Sequence, residues 1–556
     1  MKNLEIVKIF YNMAAYLTMA GVEFKPQAYE RAARAIEAMP QDITEVDLEN
    51  IPGVGKHLAQ KIKEYLETGK IREYEKLKKQ TPVKIEELVA VEGIGPKRVK
   101  ILYQKLDIRN LKDLKKSAKA GRIRNLEGFG EKTEKNILKG IEFVKAFQGR
   151  ILLGQALPIA KYLGQKLSNL KQVQKITFAG SLRRMQETIG DIDLLVSSNE
   201  PGPVIEYFCS MPDIVKIWGR GLTKASIRIK AGFDIDIRLV KPESWGSALQ
   251  YFTGSKEHNI ALRRMAIAKK LKLNEYGLFR KDKKIAGQTK EEIYQALGLE
   301  YIPPEIRQNT GELENKLPNL IDYQDIKGDL QIHTNWSDGT ASLGQMVKAA
   351  EKLNYRYIAI TDHAGYLSKV QNGLDSKRLF KQMREISKIQ NTKYKIRILK
   401  GAEINITKGG EVDMKDEILA KLDWVIAGVH SYLKMPKKII TQRIIKAMQN
   451  PHIDMIAHPT GRLLNKRPAY ELDFEEIFET AAKTGTYLEI NADMHRLDLN
   501  DELARKAIKA GLKLVINTDA HSVFGLEQMQ LGIAQARRGW AEKKDIINTK
   551  DEFKIS

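Results

Sequence analysis

Residues 178–196 read Phe178-Ala-Gly-Ser-Leu-Arg-Arg-Met-Gln-Glu-Thr-Ile-Gly-Asp-Ile-Asp-Leu-Leu-Val196 and carry the strongest structural signal in the chain. A strand at Lys175–Ala179 is predicted to enter a turn at Gly180-Ser181, and a helix and a second strand follow. Asp191 and Asp193 alternate along that second strand, so both carboxylates face one side, about 7 Å apart. The pattern predicts an α/β unit that presents these two carboxylates together.

A third predicted strand, Gly232-Phe-Asp-Ile-Asp-Ile-Arg-Leu-Val240, supplies another carboxylate, Asp236, from alongside. Three converging carboxylates repel one another unless cations lie between them, and Mg²⁺ prefers oxygen ligands. We expect two Mg²⁺ ions, for which Mn²⁺ can substitute, to activate a primer 3′-hydroxyl and to hold a nucleoside triphosphate. The backbone and hydroxyl groups of the Gly180-Ser181 turn can contact the phosphates.

The Gly-Ser turn followed by Asp-x-Asp at this spacing resembles the nucleotidyltransferase superfamily. The next segment, Leu249-Gln-Tyr-Phe-Thr-Gly-Ser-Lys-Glu-His-Asn-Ile-Ala-Leu-Arg263, is similar to the nucleotide-selection region of family X DNA polymerases. The likeness to DNA polymerase beta continues through Leu273-Asn-Glu-Tyr276 and runs nearly unbroken from Gly180.

This resemblance implies roles for individual residues. Asp191, Asp193 and Asp236 would bind metal, and the triphosphate would be held by Gly180, Ser181, Arg184 and Gly190. The nucleoside and the template would be contacted by Tyr251 and Phe252 under the sugar, by Gly254, by Asn259 at the minor-groove edge of the base and by Arg263. Lys256 replaces a carboxylate of polymerase beta, which leaves the strength of base stacking open. The alternative for Tyr251 and Phe252 is a pair of core aromatics.

Three copies of a Gly-x-Gly pattern lie in a region, residues 3–150, whose apolar spacing predicts helices almost throughout. Such a turn lets the backbone approach a ligand, and the next helix offers its N–H groups to a phosphate. This is the helix-hairpin-helix motif, which grips the DNA backbone. The predicted DNA contacts are Gly53, Gly55 and Lys56, then Gly93, Gly95, Lys97 and Arg98, then Gly128, Gly130 and Lys132.

The first copy also resembles the lyase domain of DNA polymerase beta, through Phe24-Lys-Pro-Gln-Ala-Tyr-Glu-Arg-Ala-Ala33 and Ile51-Pro-Gly-Val-Gly55. The resemblance puts the Schiff-base lysine at Lys61 and supporting DNA contacts at Lys25 and Tyr29. The basic neighbours Lys25, Lys56 and Lys63 would favour the neutral, nucleophilic amine. The alternative is that Lys61 only contacts a phosphate.

Beyond residue 322 the chain alternates short apolar strands with helices. Strands are predicted up to His333 and at Tyr357–Thr361, Ile396–Ile404, Trp424–Val429, Met455–Ala457, Tyr487–Ile490 and Leu514–Asn517. Polar residues that follow successive strands mark the active face of a β/α barrel. Seven of the nine histidines lie between residues 333 and 521.

These elements resemble the PHP (polymerase and histidinol phosphatase) domain, a distorted barrel with up to three metal sites. The implied ligands are His333, Asp338, His363, Glu403, His430, His458, Asp519 and His521. The resemblance divides them into three sets: Glu403, His430 and His458; Asp338, His363 and His521; and His333 with Glu403 and Asp519. Gln331 replaces the first histidine of the family's His-x-His, which should weaken one site for Zn²⁺ or Mn²⁺. His452 and His495 match no ligand position, and we expect them to be structural.

Composition agrees with a nucleic-acid partner. The net charge is +23, and residues 51–150 alone hold 25 Lys and Arg against 13 Asp and Glu. A basic field of this kind suits a polyanion. The single cysteine, Cys209, excludes an internal disulfide, and the sequence has no apolar run that spans a bilayer. We expect a monomeric, cytoplasmic, nucleoid-associated protein without a membrane partner.

We therefore predict a multidomain α+β protein with a mixed-sheet palm and a distorted β/α barrel. The predicted domains are a lyase-like helical domain (1–80), a helical DNA-binding subdomain (81–148), a palm (149–240), a nucleotide-selection subdomain (241–300), a linker (301–322) and a PHP domain (323–556). The predicted function is gap-filling DNA synthesis in base-excision repair on gapped or nicked DNA with deoxynucleoside triphosphates. The PHP domain is expected to add a weakened 3′–5′ exonuclease. Two alternatives are a nuclease or phosphatase that the polymerase part delivers to DNA, and a non-catalytic scaffold for DNA ends.

Overall fold

The structure is a computed structural model, which describes residues 2–147, 149–366, 372–392 and 394–552. Within those residues, no helix is long and apolar enough to cross a membrane. The predicted multidomain α+β class is confirmed, because helical, mixed-sheet and barrel units follow one another along the chain.

The N-terminal part is helical, as its apolar spacing predicts. Its helices are α1 (Asn3–Ala20), α2 (Lys25–Glu37), α3 (Lys56–Thr68), α4 (Arg72–Gln80), α5 (Ile85–Val89), α6 (Pro96–Leu106), α7 (Leu111–Lys119) and α8 (Glu131–Ala146). Each Gly-x-Gly turn leads directly into a helix, and the first glycine of each copy has a positive φ of 77–84°. A side chain at these positions would be strained, so glycine is required for the turn.

The palm is a mixed sheet flanked by helices. Its elements are β1 (Ile151–Leu152), α9 (Leu153–Ser168), β2 (Lys175–Phe178), α10 (Gly180–Arg183), β3 (Thr188–Ile189), β4 (Ile192–Ser197), α11 (Pro201–Ser210), β5 (Ile214–Arg220), β6 (Lys224–Ile229) and β7 (Asp234–Val240). The strand order is β2-β4-β7-β6-β5, and β4 runs parallel to β7 with Asp193 opposite Asp236. This register brings the predicted metal ligands onto adjacent strands.

A small helical and three-stranded unit follows the palm. It contains α12 (Trp245–Thr253), α13 (Lys256–Ala268), β8 (Lys272–Asn274), β9 (Gly277–Arg280), β10 (Lys283–Ala286) and α14 (Lys290–Ala296). Its core includes Leu262, Leu278 and Tyr294.

The segment 301–322, predicted as a linker, is instead a packed part of the molecule. Ile302 and Ile306 are buried in the core of the preceding unit. Arg307 is 1% exposed, and its guanidinium lies 5.1 Å from the ring centre of Tyr294. Glu312 Oε1 lies 2.7 Å from Nδ1 of the buried His258. Glu305, Arg307 and Glu312 are buried because each has a partner on another element, whereas Asn309, Thr310, Glu314 and Asn315 are exposed.

The C-terminal domain is a parallel barrel. Its strands are β11 (Gly328–Ile332), β12 (Tyr357–Ile360), β13 (His363–Ala364), β14 (Arg397–Asn405), β15 (Trp424–Gly428), β16 (Met455–Ile456), β17 (Tyr487–Asn491) and β18 (Leu514–Asn517). Its helices are α15 (Leu343–Lys352), α16 (Ser376–Gln390), α17 (Asp416–Leu419), α18 (Lys437–Met448), α19 (Phe474–Thr484), α20 (Asp501–Lys509) and α21 (Met529–Arg538). A bridge between Ile332 and Ala520 joins the ends of β11 and β18 and nearly closes the barrel. The predicted strands are confirmed to within one or two residues at their ends.

The barrel packs directly on the other domains. Met494, Leu497, Leu531 and Ala534 of the barrel are part of the hydrophobic core of the palm. Phe524 packs against the core of the first helical domain. The barrel is thus fixed against both the palm and the N-terminal helices.

Candidate metal centres and nucleic-acid interface

Asp191, Asp193 and Asp236 converge beside the first residues of the adjacent strands β4 and β7, with ligand oxygens within 4.8 Å of one another. Burial, and then the charges of Asp191 and Asp236, raise the pKa of Asp193 to about 7. Burial and Asp236 also raise the pKa of Asp191. These shifts show that the three negative charges destabilise one another, which a divalent cation would relieve. The oxygen-only donor set fits Mg²⁺ or Mn²⁺.

Gly180 lies directly against the same carboxylate cluster, which requires a glycine at this position. It has a φ of +57°, and a Cβ at this position would overlap Oδ2 of Asp193. Only glycine therefore lets the turn pass so close to the carboxylate. Ser181, the next residue in the chain, is half-buried in α10.

Arg184 lies on the rim of this site with a desolvated guanidinium. Its Nη1 donates to the carbonyl of Thr253, and its own carbonyl accepts from Arg538 of the barrel at 3.1 Å. Burial, and then the positive charge of Arg538, lower the pKa of Arg184 to about 10. Gly254 approaches the same group, since a Cβ there would lie 3.0 Å from Arg184 Nη1. A phosphate would stabilise these crowded cations.

Arg150 is a residue that the sequence motifs did not reveal. Its Nε donates to Thr188 Oγ1 at 2.8 Å, and its charge acts to lower the pKa of Asp191. A Cβ on Gly190 would lie 3.5 Å from Arg150 Nη1, so the guanidinium lies beside the predicted triphosphate residue. Arg150 stands at the end of the helical region, outside every motif, and no pattern in the sequence marks it.

Tyr251 and Phe252 are half-buried, and their rings meet edge to face at 5.1 Å. Phe252 also packs against the small core that includes Leu195 and Leu249. Asn259 is predicted to reach the base, but its side chain is 9% exposed. Its Nδ2 donates to the carbonyl of Tyr251 at 2.7 Å, and its Oδ1 accepts from Gln250 at 2.7 Å. In this structure Asn259 therefore positions Tyr251, while Arg263 is exposed.

The barrel ligands gather at the carboxyl ends of the strands. The structure brings together His333, Asp338, His363 and His521; His363, Glu403 and His430; and His333, Glu403 and Asp519. His363 belongs to two of these groups, although it was predicted in one. His458 Nε2 lies 3.3 Å from Glu403 Oε1. Imidazole and carboxylate donors in this number fit Zn²⁺ or Mn²⁺.

Glu403 is the centre of the barrel cluster. His333 Nε2 lies 3.2 Å from one carboxylate oxygen of Glu403, and His430 Nε2 lies 2.9 Å from the other. Burial would raise the pKa of Glu403, but the imidazoles of His363 and His430 hold it well below its usual range. A buried, ionised carboxylate with both oxygens among imidazoles can bridge two cations.

Gln331 lies in the same cluster, where the resemblance expects a histidine. Its Nε2 donates to Glu403 Oε2 at 3.0 Å, whereas its Oε1 is buried with no hydrogen-bond partner among the residues that the structure describes. An unpartnered buried oxygen beside metal-ligand residues is available to a cation.

Two residues beside the barrel ligands were missed, the buried Glu489 and the half-buried Arg496. Glu489 accepts the backbone N–H of His458 at 2.6 Å and the side chain of Asn517 at 3.0 Å, so it supports the ligands from behind. Arg496 Nε lies 3.5 Å from Asp519 Oδ2. Glu489 lies in the middle of β17, not at its carboxyl end where ligands were expected. Arg496 lies in a loop without periodicity.

Lys61 does not have the purely basic surroundings predicted for it. It is 9% exposed and forms an ion pair with Glu73 on α4. Tyr29, predicted to contact DNA, is 2% exposed and packs edge-on against Phe10. Its ring is thus part of the helical core, and a contact of Tyr29 with DNA stays a prediction. Lys25 is exposed.

The helix-hairpin-helix turns occupy two environments. Lys56, Lys97 and Lys132 are all exposed just inside the helices that follow the turns. Gly53 and Gly55 of the first turn, however, line a cavity shared with the barrel residue Thr340. Between the other two turns, Arg98 donates to the carbonyls of Gly93 at 2.7 Å and Gly128 at 3.2 Å. Arg98 therefore joins the second and third hairpins.

Matches to family models agree with this architecture. Family models match for a helix-hairpin-helix domain at residues 1–71, a SAM-like helix-hairpin-helix tandem at 85–142, the DNA polymerase beta thumb at 248–308 and a PHP domain at 329–493. A probable phosphatase of Acetivibrio thermocellus is 32% identical over 35% of this chain and 80% of its own length. A solved polymerase beta of Leishmania infantum, a ternary complex, covers 40% of this chain and 97% of its own, with 24% identity and a TM-score of 0.27.

The match that extends along the whole chain is with the DNA polymerase/3′-5′ exonuclease PolX of Bacillus subtilis. The two sequences are 38% identical over 98% of this chain and 97% of that protein. This relative and the thumb and PHP models together cover both halves of the architecture described above. The chain belongs to the family X DNA polymerases that carry a C-terminal PHP domain.

Proposed function

We propose that this chain is a template-directed DNA polymerase that fills short gaps during base-excision repair. The observation that carries the proposal is the convergence of Asp191, Asp193 and Asp236 beside the Gly180 turn. Two Mg²⁺ ions bound there would lower the pKa of a primer 3′-hydroxyl and neutralise charge on the triphosphate.

Residues around the triad would position the incoming nucleotide. Arg184, already crowded by Arg538, and Arg150, beside Gly190, offer guanidinium groups that suit phosphate oxygens. Tyr251 and Phe252 present half-buried rings that would crowd a ribose 2′-hydroxyl and so favour deoxynucleotides. Asn259 holds the backbone of Tyr251 in place.

The DNA would be held by its backbone, away from the reacting atoms. The exposed Lys56, Lys97 and Lys132 begin helices whose free N–H groups favour phosphate. We expect gapped or nicked DNA and deoxynucleoside triphosphates as substrates, and a monomer that acts on the nucleoid in the cytoplasm. The test is extension of a primer across a gapped duplex with Mg²⁺, compared with an Asp191→Ala variant. Equal extension by both proteins would contradict the proposal.

We propose a second activity, a 3′–5′ phosphoesterase in the barrel that removes the terminal nucleotide of a primer. It is favoured by the donor set around Glu403, which fits Zn²⁺ or Mn²⁺. Those metals would activate water and stabilise charge on the scissile phosphate. Glu489 and Arg496 would hold the ligands His458 and Asp519 in place. Release of mononucleotides from a labelled 3′ end, lost in Glu403→Ala, would test this activity.

A further inference from the structure

The first helical domain forms one wall of the barrel's metal site. A cavity of about 540 Å³ lies between them. One side is lined by Tyr11 of α1 and by Glu30, Arg34 and Glu37 of α2, and the other side by the ligands Asp338, His363, Glu403, His430, His458, Asp519 and His521. The site that the barrel presents is thus completed by a second domain.

The wall is held in place by buried polar contacts. Glu37 Oε2 lies 3.1 Å from His495 Nε2 of the barrel, and Glu37 Oε1 accepts from Gln155 of the palm at 2.8 Å. Phe524 of the barrel packs on the core of the helical domain. Three domains therefore meet at Glu37, one turn of α2 away from Arg34.

Positively charged side chains line the cavity beside the metal-ligand residues. Its positive side chains are Arg34, Lys466 and Arg496. Arg496 Nε lies 3.5 Å from Asp519 Oδ2, next to a metal-ligand oxygen. Arg34 is exposed and lines a second cavity that also includes Asp338. Arg34 has no carboxylate oxygen within 4.0 Å among the residues that the structure describes. Guanidinium groups beside a metal site match the geometry of a phosphodiester.

We propose that Arg34 of the N-terminal domain and Arg496 of the barrel together bind the phosphate of a single 3′-terminal nucleotide in this cavity. The proposal rests on the phosphoesterase activity proposed above and identifies the substrate unit of that site. Cavities of 300–1,000 Å³, roughly, accept small molecules, which is the size of one nucleotide and too small for a duplex end. The terminal nucleotide therefore enters singly, after it has left its template.

The experiment uses the full-length protein with Mn²⁺ and a substrate that needs no fraying, thymidine 5′-monophosphate p-nitrophenyl ester. The variants are Arg34→Ala, Arg34→Lys, Arg496→Ala and Arg496→Lys. Arg384→Ala, an exposed arginine on α16 away from the cavity, is the control. We expect Arg34→Ala to raise KM roughly tenfold, the worth of one charge-assisted hydrogen bond, with kcat within about twofold. Arg34→Lys should recover part of the loss. Metal content and gap filling of Arg34→Ala should match the parent.

Binding of thymidine 5′-monophosphate, measured by calorimetry, separates this proposal from the proposed hydrolysis. If the parent binds the nucleotide and Arg34→Ala does not, the site stands even when no ester is cleaved, and only the hydrolytic function fails. If binding and KM are unchanged in both alanine variants, the two arginines do not hold the phosphate. Loss of bound metal or of gap filling in Arg34→Ala would overturn the proposal too, since it would assign Arg34 a general structural role.

Discussion

Gln331 donates a hydrogen bond from its side-chain amide to Oε2 of Glu403, 3.0 Å away. This amide occupies a lone pair of the carboxylate that joins the barrel's metal-ligand groups. Within the described part of the chain, the Oε1 atom of Gln331 has no hydrogen-bond partner, and an amide oxygen is a weaker ligand than imidazole for Zn²⁺ or Mn²⁺. The site next to His333 and Asp519 should therefore bind its metal least tightly.

Replacing Gln331 with histidine should strengthen that site. We expect Gln331→His to bind Mn²⁺ more tightly and to raise the rate of 3′–5′ hydrolysis several-fold, without a change in polymerisation. Metal titration and release of a labelled 3′ nucleotide measure the two effects. Gln331→Leu, which removes both polar atoms, is the matched control and should lower activity below that of the parent. A vigorous parent exonuclease that histidine does not improve would show that glutamine is a competent ligand.

The Asp191→Ala, Asp193→Ala double variant should lose Mg²⁺-dependent extension, because two of three converging ligands are removed. Gapped-DNA affinity should stay within about threefold of the parent, since phosphate contacts dominate DNA affinity and the hairpin lysines lie elsewhere. Primer extension and a fluorescence-anisotropy titration check the two statements. Retained extension would move the polymerase site elsewhere in the chain.

The ion pair between Lys61 and Glu73 leads to a prediction about lyase chemistry. The ion pair engages the Lys61 side chain, so Lys61 must leave Glu73 before its amine can attack a sugar aldehyde, and the pair opposes Schiff-base formation. Glu73→Gln should therefore increase the yield of the borohydride-trapped adduct with 5′-deoxyribose phosphate DNA. Lys61→Ala should abolish that adduct in either background. If neither the parent nor Glu73→Gln gives an adduct, Lys61 is a phosphate contact and the lyase prediction is wrong.

The contact between Glu37 and His495 should respond to pH. Burial would raise the pKa of Glu37, but His495 and Gln155 lower it to about 2. Burial would lower the pKa of His495, but Glu37 raises it above its usual range. The stabilisation from Glu37 is present above its unfolded pKa of 4.5 and is lost as pH falls toward 2. The stabilisation from His495 is present below its unfolded pKa of 6.5 and is lost as pH rises through the raised value.

The first helical domain should accordingly be docked most firmly between about pH 4.5 and 6.5. Breaking a buried pair by removing one partner costs about 3–5 kcal/mol, so His495→Gln should speed amide exchange in α2 at pH 6. His452→Gln, a half-buried histidine elsewhere in the barrel, is the control. Unchanged exchange in α2 of His495→Gln would show that the pair does not hold the domain.

The sequence predicts the parts of this molecule that depend on local pattern. Alternation places Asp191 and Asp193 on one face, and β7 brings Asp236 alongside. Strand ends predict where Glu403 and His430 lie. Contacts between distant residues have no local pattern: Glu73 reaches Lys61 from the next helix, and Glu312 of segment 301–322 is buried beside His258.

The contacts between domains also cannot be predicted from the periodicity of the sequence. Arg34 lies on the exposed face of an ordinary amphipathic helix, and nothing in its spacing indicates that a barrel lies opposite. Arg150 and Arg496 stand between elements, where no repeating pattern assigns a role. These residues become apparent only when the cavity and the carboxylates beside them are known.

Met494, Leu497, Leu531 and Ala534 complete the hydrophobic core of the palm from the barrel side, and Gly154 of α9 lies so close that a Cβ there would be 2.6 Å from Met494 Cβ. A variant that ends before the barrel would keep Asp191, Asp193 and Asp236. It would, however, expose the apolar surface of the palm that the barrel covers. Exposed apolar patches of this kind promote aggregation. The palm and the barrel are therefore not interchangeable modules: transfer of either one to another protein would require its counterpart, or a redesigned surface, as well.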